Sequence, residues 1–368
     1  MKRVLCISHS TGLHGAEKVL LSAIRSWRDA QVEVWVAIPS ILPDLGLLAE
    51  LQSLVGDDHV LRLAYRAAGL SSFRTHVIRM YNYRAVRYLC QWVREKSIDT
   101  VYSNTSVTIL GAQVAQRLGC RHIWHFHEPV NSMYGWTPSL RDYYRSLLKQ
   151  PNTEVVFISQ QQRSAWEKEL DMSIKSEVIY NPIAPFQVLK PQPHNALRIG
   201  YLGNFEQRKN LDLLIRVFIQ FHRNNPNSEL WLCGAQNEVE KRDWSLSCPE
   251  DKGFHILLHT NDVGSFYSQI DIFALPSLSE TMPLVAIEAM QSGICVLQTS
   301  ESGISELYEG GKDTLFLSPD DEDAWLNALE QCADENERKR LAQNGQKKTE
   351  TFDFNEQFNQ QIQALLCK

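Results

Sequence analysis

Two carboxylates set the first question. In "SETMPLVAIEAM", Glu280 and Glu288 stand eight positions apart, with Pro283 and the start of an apolar helical run between them. A carboxylate in so apolar a helix is expensive to bury without a partner. Its two oxygens can accept hydrogen bonds from a vicinal diol, the use that acidic residues of dinucleotide-binding folds make of ribose. A capping carboxylate at Glu280 and a buried ion pair at Glu288 are the plainer alternatives. A second candidate is "GNFEQRKN", Gly203–Asn210, where Arg208 and Lys209 fall at an expected helix start. Cations are not favoured at a helix N-terminus. A bound diphosphate would justify the pair, with Gly203 allowing a tight turn, and a solvated surface pair is the other reading.

Two further stretches lie after expected strands. "SHSTGLHGAEK" places Gly12 and Gly15 before a helix, where backbone amides suit an anion such as phosphate, or make only a turn. In "HFHEP", His125 and His127 share one face of a strand. A catalytic zinc would need a third protein ligand that nothing nearby supplies, so His127 reads as a substrate contact or a core histidine. Asp321 and Asp323 in "PDDED" have a spacing that some metal-dependent sugar transferases use, but they open a helix, where acidic residues cap. No GxSxG, HExxH or P-loop pattern occurs.

The elements that must position these residues follow from periodicity. Short β-branched runs such as "RVLCISHS", "VEVWVAIP", "DTVYSN", "RHIWHFHE" and "EVVFIS" alternate with helical patterns, among them "GAEKVLLSAIRSW" and a helix near 107–118. Strands separated by helical crossovers predict a parallel sheet covered on both faces. Residues 181–195 then hold four prolines, a stiff, helix-poor stretch. After it the rhythm restarts with "LRIGYLGNF", "SELWLCGA", "FHILLH", "DIFALPS", "ICVLQTS" and "TLFLSP". A length of 368 residues points to two domains. The expectation is an α/β chain of two Rossmann-like, doubly wound parallel-sheet domains facing across a cleft. The boundaries read as 1–182, a linker at 183–196, and 197–351, with a last helix at 352–368 packing back on the first domain.

Composition narrows the class. The chain is 43% hydrophobic and 22% charged, an ordinary globular mix with no apolar run long enough to span a bilayer. The start "MKRVLCISHSTG" reads as a buried strand and not a signal peptide. The eight scattered cysteines form no CxxC pair, which suits reduced, buried thiols in a cytosolic protein. The net charge of −6 divides into +5 over residues 1–180 and −11 over the rest. Residues 62–96 hold eight Lys and Arg against one acid, with Tyr, Phe and Trp interleaved. That is a candidate surface for anionic lipid headgroups. Nucleic acid is a weaker reading, and a solvated helical face the plain one.

These motifs together resemble the retaining GT-B glycosyltransferases of family 4: "GAEKVL" after strand one, "HE" at a later strand end, "GN(x)4K" after the linker, and "PS(x)2E(x)7E". The resemblance covers nearly the whole chain, and the Glu(x)7Glu segment is its most specific part. It implies a nucleotide-diphosphate sugar donor on the second domain and no cofactor, metal or nucleic-acid partner. Glu288 would hold the ribose hydroxyls. Glu280, Thr281, Met282, Pro283 and Leu284 would contact the donor sugar and phosphates. Lys209 would neutralise the leaving diphosphate, Gly15 would approach the phosphate and sugar, and His127 would contact the sugar near its anomeric carbon. Three departures stand out: Asn204 where the family has Arg after the glycine, His14-Gly15 for a glycine pair, and Thr281-Met282-Pro283 for Gly-Phe-Gly. Arg208 could replace the missing arginine. The implied function is metal-independent transfer of a sugar to a glycan or lipid-linked glycan, in the cytoplasm at the inner membrane face, for bacterial cell-surface polysaccharide. The alternatives are a non-catalytic subunit of the same fold and a sugar-nucleotide epimerase.

Overall fold

The computed structural model describes residues 2–67, 72–130, 135–249 and 253–367. The chain divides into two compact units, Met1–Pro182 with Asn355–Lys368, and Ile183–Phe354.

The first unit is built on β1 (Arg3–Ile7), β2 (Glu33–Pro39), β3 (Val60–Leu63), β4 (Thr100–Asn104), β5 (Arg121–Phe126), β6 (Thr153–Phe157) and β7 (Ser176–Val178). They form one parallel sheet in the order β3-β2-β1-β4-β5-β6-β7, with Val4 opposite both Val34 and Thr100. The central strands are buried along almost their whole length, as expected for a sheet covered on both faces. Helix Gly15–Asp29 buries Val19, Leu20, Ala23, Ile24 and Trp27, the residues at helical spacing in the sequence.

The second unit repeats the plan with β8 (Leu197–Leu202), β9 (Ser228–Ala235), β10 (Phe254–Leu258), β11 (Ile272–Leu275), β12 (Cys295–Thr299) and β13 (Leu315–Leu317). Its order is β10-β9-β8-β11-β12-β13, again all parallel. In both sheets the strand order reverses beside the first strand, between β1 and β4 and between β8 and β11. The carboxyl ends at such a point leave a crevice between diverging loops. All eight cysteines are free thiols, six of them buried.

Several local expectations change. The proline-rich stretch carries no helix or strand, yet it is held on the second unit: Gln192 N donates to Ser268 O at 2.7 Å. Strands β3 and β7 and helix Leu47–Val55 were not foreseen, because each is a short edge or surface element with little periodicity. The last helix is Phe354–Cys367, separated from helix Glu335–Phe352 by Asp353 in the left-handed conformation. It buries Phe358, Ile362, Leu365 and Leu366 in the first unit's core with Leu20, Ile24 and Trp27, and Trp27 Nε1 donates to Ile362 O at 2.8 Å. Ile362→Ala should cost about 2–5 kcal/mol by the lost burial and the cavity left behind. Chemical denaturation should show this, and limited proteolysis should release the last helix first.

Candidate active site

The second unit brings three predicted residues together. Lys209 Nζ donates to Glu280 Oε1 at 2.7 Å, and Arg208 Nη1 lies 3.6 Å from the same oxygen. Arg208 Nη1 also donates to Ser279 O at 2.8 Å, and Arg208 O accepts from Leu278 N at 2.9 Å. The two cations are not at the helix start expected from sequence. They sit two and three residues before the helix, in a 3-10 turn Gln207–Lys209, and helix Leu211–Asn224 follows Asn210. Asn210 adopts φ 54° and donates to Pro276 O and Pro319 O, which pins the turn against the loop after β11. Asn can take this left-handed conformation at small cost.

Glu280 is only 8% exposed and is fixed by its backbone. It pairs in parallel with Ser302: Glu280 N donates to Glu301 O at 2.8 Å, and Gly303 N donates to Glu280 O at 2.9 Å. Burial pushes its pKa up, but the Lys209 and Arg208 charges outweigh this and hold the carboxyl below its usual range. The cluster therefore carries two cations against one carboxylate, an excess of positive charge at a strand end.

Pro283 was expected in the first helical turn. It is instead the N-cap of helix Leu284–Gln291, with ψ 91°. The first intrahelical bond is Ala286 N to Pro283 O, so the amides of Leu284 and Val285 precede it. Met282 and Pro283 are buried. Glu288, in the second turn of that helix, accepts from the Tyr267 hydroxyl at 3.2 Å, and Tyr267 also donates to Val285 O.

Gly203 and Asn204 form the turn after β8. Asn204 O accepts from the Tyr201 hydroxyl at 2.8 Å, and Asn204 Oδ1 accepts from Gln236 Nε2 at 3.3 Å. The turn depends on Gly234, which the sequence reading did not single out. Gly234 has φ 156°, and a Cβ there would stand 1.9 Å from Gly203 O.

The first unit holds its own cluster at the ends of β1, β4 and β5. His127 Nε2 meets Asn104 Oδ1 at 3.0 Å, while Asn104 Nδ2 donates to Ala16 O. That orientation makes Nε2 the protonated nitrogen of a neutral ring. Burial, with His9 adding repulsion, drives the His127 pKa down to about 3. Asn104 leads into Thr105, whose φ of 93° is strained for a β-branched residue and is held by Thr105 N to His125 O at 2.8 Å. Glu128 Oε2 accepts from Ser106 N, Ser106 Oγ and His127 N. His125 is fully buried with Nδ1 on the Tyr102 hydroxyl, a core position. Gly15 has no heavy atom within 4 Å of an added Cβ, so the protein itself does not demand a glycine there. Asp321 caps helix Glu322–Ala333 through Ala324 N. Among the described residues, no group of three His, Cys, Asp or Glu is placed to hold a metal ion.

Sequence reasoning missed Asn104, Glu128, Gly234 and Tyr267. Glu128 stands in the "HE" motif but was given no role, and the other three have no motif spacing, because strand order and not sequence distance brings them to their partners. The ion pair yields a pH-dependent expectation. The folded-state pKa of Glu280 is lowered, so its contribution is present above the ordinary value of 4.5 and is lost as pH falls through the lowered one. Glu280→Gln should cost about 1–3 kcal/mol at neutral pH, since it leaves two part-buried cations without their carboxylate. Denaturation at stepped pH should show the gap to the parent closing in acid. A gap independent of pH would contradict the assignment.

Comparison with known proteins agrees with this architecture. A profile described as "Glycosyl transferases group 1" matches residues 188–348, and one described as "Glycosyltransferase Family 4" matches residues 13–185. An uncharacterized glycosyltransferase of Haemophilus influenzae is 25% identical over 234 residues, 62% of this chain and 65% of that protein. The capsular polysaccharide biosynthesis glycosyltransferase CapM of Staphylococcus aureus is 26% identical over 156 residues, 41% of each. The matched stretches thus span less than two thirds of either relative. HepE of Anabaena, solved with UDP and glucose, superposes over all of both chains with a TM-score of 0.79 at 19% identity. That likeness shows the fold, which is GT-B. Two adjoining profiles that together span nearly the whole sequence, on two parallel α/β units, place the chain among the group 1 glycosyltransferases of family 4.

Proposed function

We propose that the protein is a retaining glycosyltransferase that moves a sugar from a nucleotide-diphosphate sugar to a hydroxyl of a glycan or lipid-linked glycan, without metal or cofactor. The observation that carries this reading is the convergence of Lys209 and Arg208 on Glu280, beside a helix start whose second turn bears Glu288. The excess positive charge suits a diphosphate. It supplies from side chains the charge that a divalent ion supplies elsewhere. Glu288 would accept the ribose hydroxyls, and its bond from Tyr267 already orients one oxygen. Arg208 would take the place of the cation that Asn204 lacks. Gly15, whose surroundings are open, and neutral His127 keep the donor and sugar roles that the family resemblance gives them. Support for the donor class comes from HepE, whose structure holds UDP and glucose. Support for a role in bacterial surface polysaccharide comes from CapM.

In the proposed reaction the bond between the anomeric carbon and the diphosphate oxygen breaks. Negative charge grows on the diphosphate, where Lys209, Arg208 and the amides of Leu284 and Val285 stabilise it. The acceptor hydroxyl forms its new bond on the face that the diphosphate leaves, so configuration is retained. Its proton passes to a phosphate oxygen.

For the acceptor side, the basic stretch 62–96 falls partly outside the described residues, at 68–71, and the side chains of 72–76 are also not described. Its described helix Tyr83–Glu95 is amphipathic. It buries Val86, Leu89 and Val93 and exposes Arg84, Arg87, Tyr88 and Arg94. With Arg117 these residues line an open groove of about 890 Å3. This surface suits the headgroups of an anionic membrane and a lipid-linked acceptor at its inner face. No described helix is long and apolar enough to cross a membrane. In flotation with anionic liposomes at low salt the protein should rise with the vesicles. Protein left at the bottom would remove the membrane contact.

The donor reading is tested by melting the protein with UDP, GDP, ADP, CMP and dTDP. One of these should raise the melting point by mass action, and Glu288→Ala should abolish the shift. With the matching sugar donor, turnover should be unaffected by chelator. Lys209→Ala should lower kcat by about 10²–10³-fold, the scale of losing one transition-state charge contact. Nucleotide binding without transfer would favour the non-catalytic subunit. Conversion of the donor sugar without an acceptor would favour the epimerase.

A further inference from the structure

The first unit contains a buried carboxylate that the proposed reaction does not use. Glu17, in the first turn of helix Gly15–Asp29, is 0% exposed, and neither of its oxygens accepts a hydrogen bond. It occupies the position from which a capping carboxylate folds back on the N-cap residue. The amides of His14 and Glu17 do pull its pKa down, but neither reaches hydrogen-bond geometry with it. Burial is the stronger influence, Glu128 adds repulsion, and the carboxyl is pushed up to about 7. A helix cap would be better served by a bonded oxygen, and an apolar core by no carboxyl at all.

The near partner of Glu17 is His9, in the loop after β1. His9 Nδ1 lies 3.2 Å from Glu17 Oε1. Nδ1 is itself buried without a hydrogen bond, although the side chain as a whole is 28% exposed. The exposure therefore falls on the rest of the ring, away from Glu17. The titratable groups around the pair are Glu128 and His127, from the loop after β5, and His14, from the same loop as His9. Burial, opposed by Glu128 and reinforced by His14, lowers the His9 pKa and so disfavours the imidazolium beside Glu17.

We propose that Glu17 is a positioning residue that sets the tautomer of His9, and that His9 Nε2 thereby accepts a hydrogen bond from a hydroxyl of the sugar acceptor. The proposal rests on the reading of the first unit as the acceptor-binding one. With Glu17 ionised, Nδ1–H donates to the carboxylate, and Nε2 presents its lone pair. Uptake of one proton by Glu17 reverses the ring: the carboxyl O–H donates to Nδ1, and Nε2 carries the hydrogen. At 3.2 Å the two atoms are close but loosely aligned, as catalytic contacts often are before a ligand closes on them. The same exposed nitrogen is thus a hydroxyl acceptor above the Glu17 midpoint and a donor below it.

The test uses the full chain labelled with 15N-histidine, with His9→Gln assigning the ring signals. A pH unit above the Glu17 midpoint, His9 should be the Nδ1–H tautomer, and a unit below it the Nε2–H tautomer. Glu17→Gln should remove that step. Methyl β-D-glucopyranoside and methyl α-D-mannopyranoside serve as hydroxyl probes. At least one should shift the His9 Nε2 signal in the high-pH state and shift it several-fold less in the low-pH state. An imidazolium titrating at the ordinary histidine value, or a tautomer step that survives Glu17→Gln, would make Glu17 a helix cap only and overturn the proposal. No response of Nε2 to either glycoside would overturn the hydroxyl assignment. Melting the same samples with nucleoside diphosphates separates the failures. If nucleotide binds and His9 is silent, the pair alone is wrong. If no nucleotide binds, the functional reading beneath it has failed.

Discussion

The part-buried ion pair between Lys209 and Glu280 ties the turn after β8 to the loop after β11. Removing two charges from water costs several kcal/mol per ion, and only close geometry and further hydrogen bonds offset it. The protein meets that condition with backbone on both sides. Glu280 is clamped between Glu301 and Gly303, and Lys209 is set by a 3-10 turn that Asn210 ties to Pro276 and Pro319. Adding Arg208 leaves the cluster short of negative charge. A site that holds more cations than anions, with its carboxylate clamped by backbone, is prepared for an anionic ligand with little reorganisation.

The sheets explain why the candidate residues gather where they do. The second unit reverses strand order between β8 and β11, and the loops after those strands carry Gly203 and Asn204 on one side and Glu280 on the other. The first unit reverses between β1 and β4, and there lie His9, Gly15 and Asn104. One folding rule, applied twice, makes two crevices from unrelated residues. The glycines serve this geometry unequally. Gly234 is required by backbone contact, whereas Gly15 has open space around it.

Much of this was legible in the sequence. Strong β-branched runs and helical periodicity marked the central strands and the helices Gly15–Asp29 and Leu211–Asn224, because burial on both faces leaves a continuous apolar signal. The Glu(x)7Glu spacing placed Glu280 on a loop and Glu288 on the helix after it, and the fold has both there, because that arrangement is local to one loop and one helix. What stayed hidden was non-local. Nothing in "GNFEQRKN" could place Lys209 on Glu280, 71 residues away, nor does the sequence place Asn104 on His127. Lys209 stands two residues before the helix expected there, because a 3-10 turn ending in a left-handed Asn has no apolar periodicity. Glu17 was read only as part of a motif, since burial without a partner cannot be seen in composition.

The account turns on whether Lys209 and its neighbours read a diphosphate. Calorimetric titration of a nucleoside diphosphate and the matching monophosphate into the parent and Lys209→Ala tests this directly. The parent should prefer the diphosphate by at least about tenfold, or ~1.4 kcal/mol. The variant should lose that preference while still binding the monophosphate through Glu288. An unchanged preference in Lys209→Ala would contradict the account, and the ion pair would then be a structural brace alone.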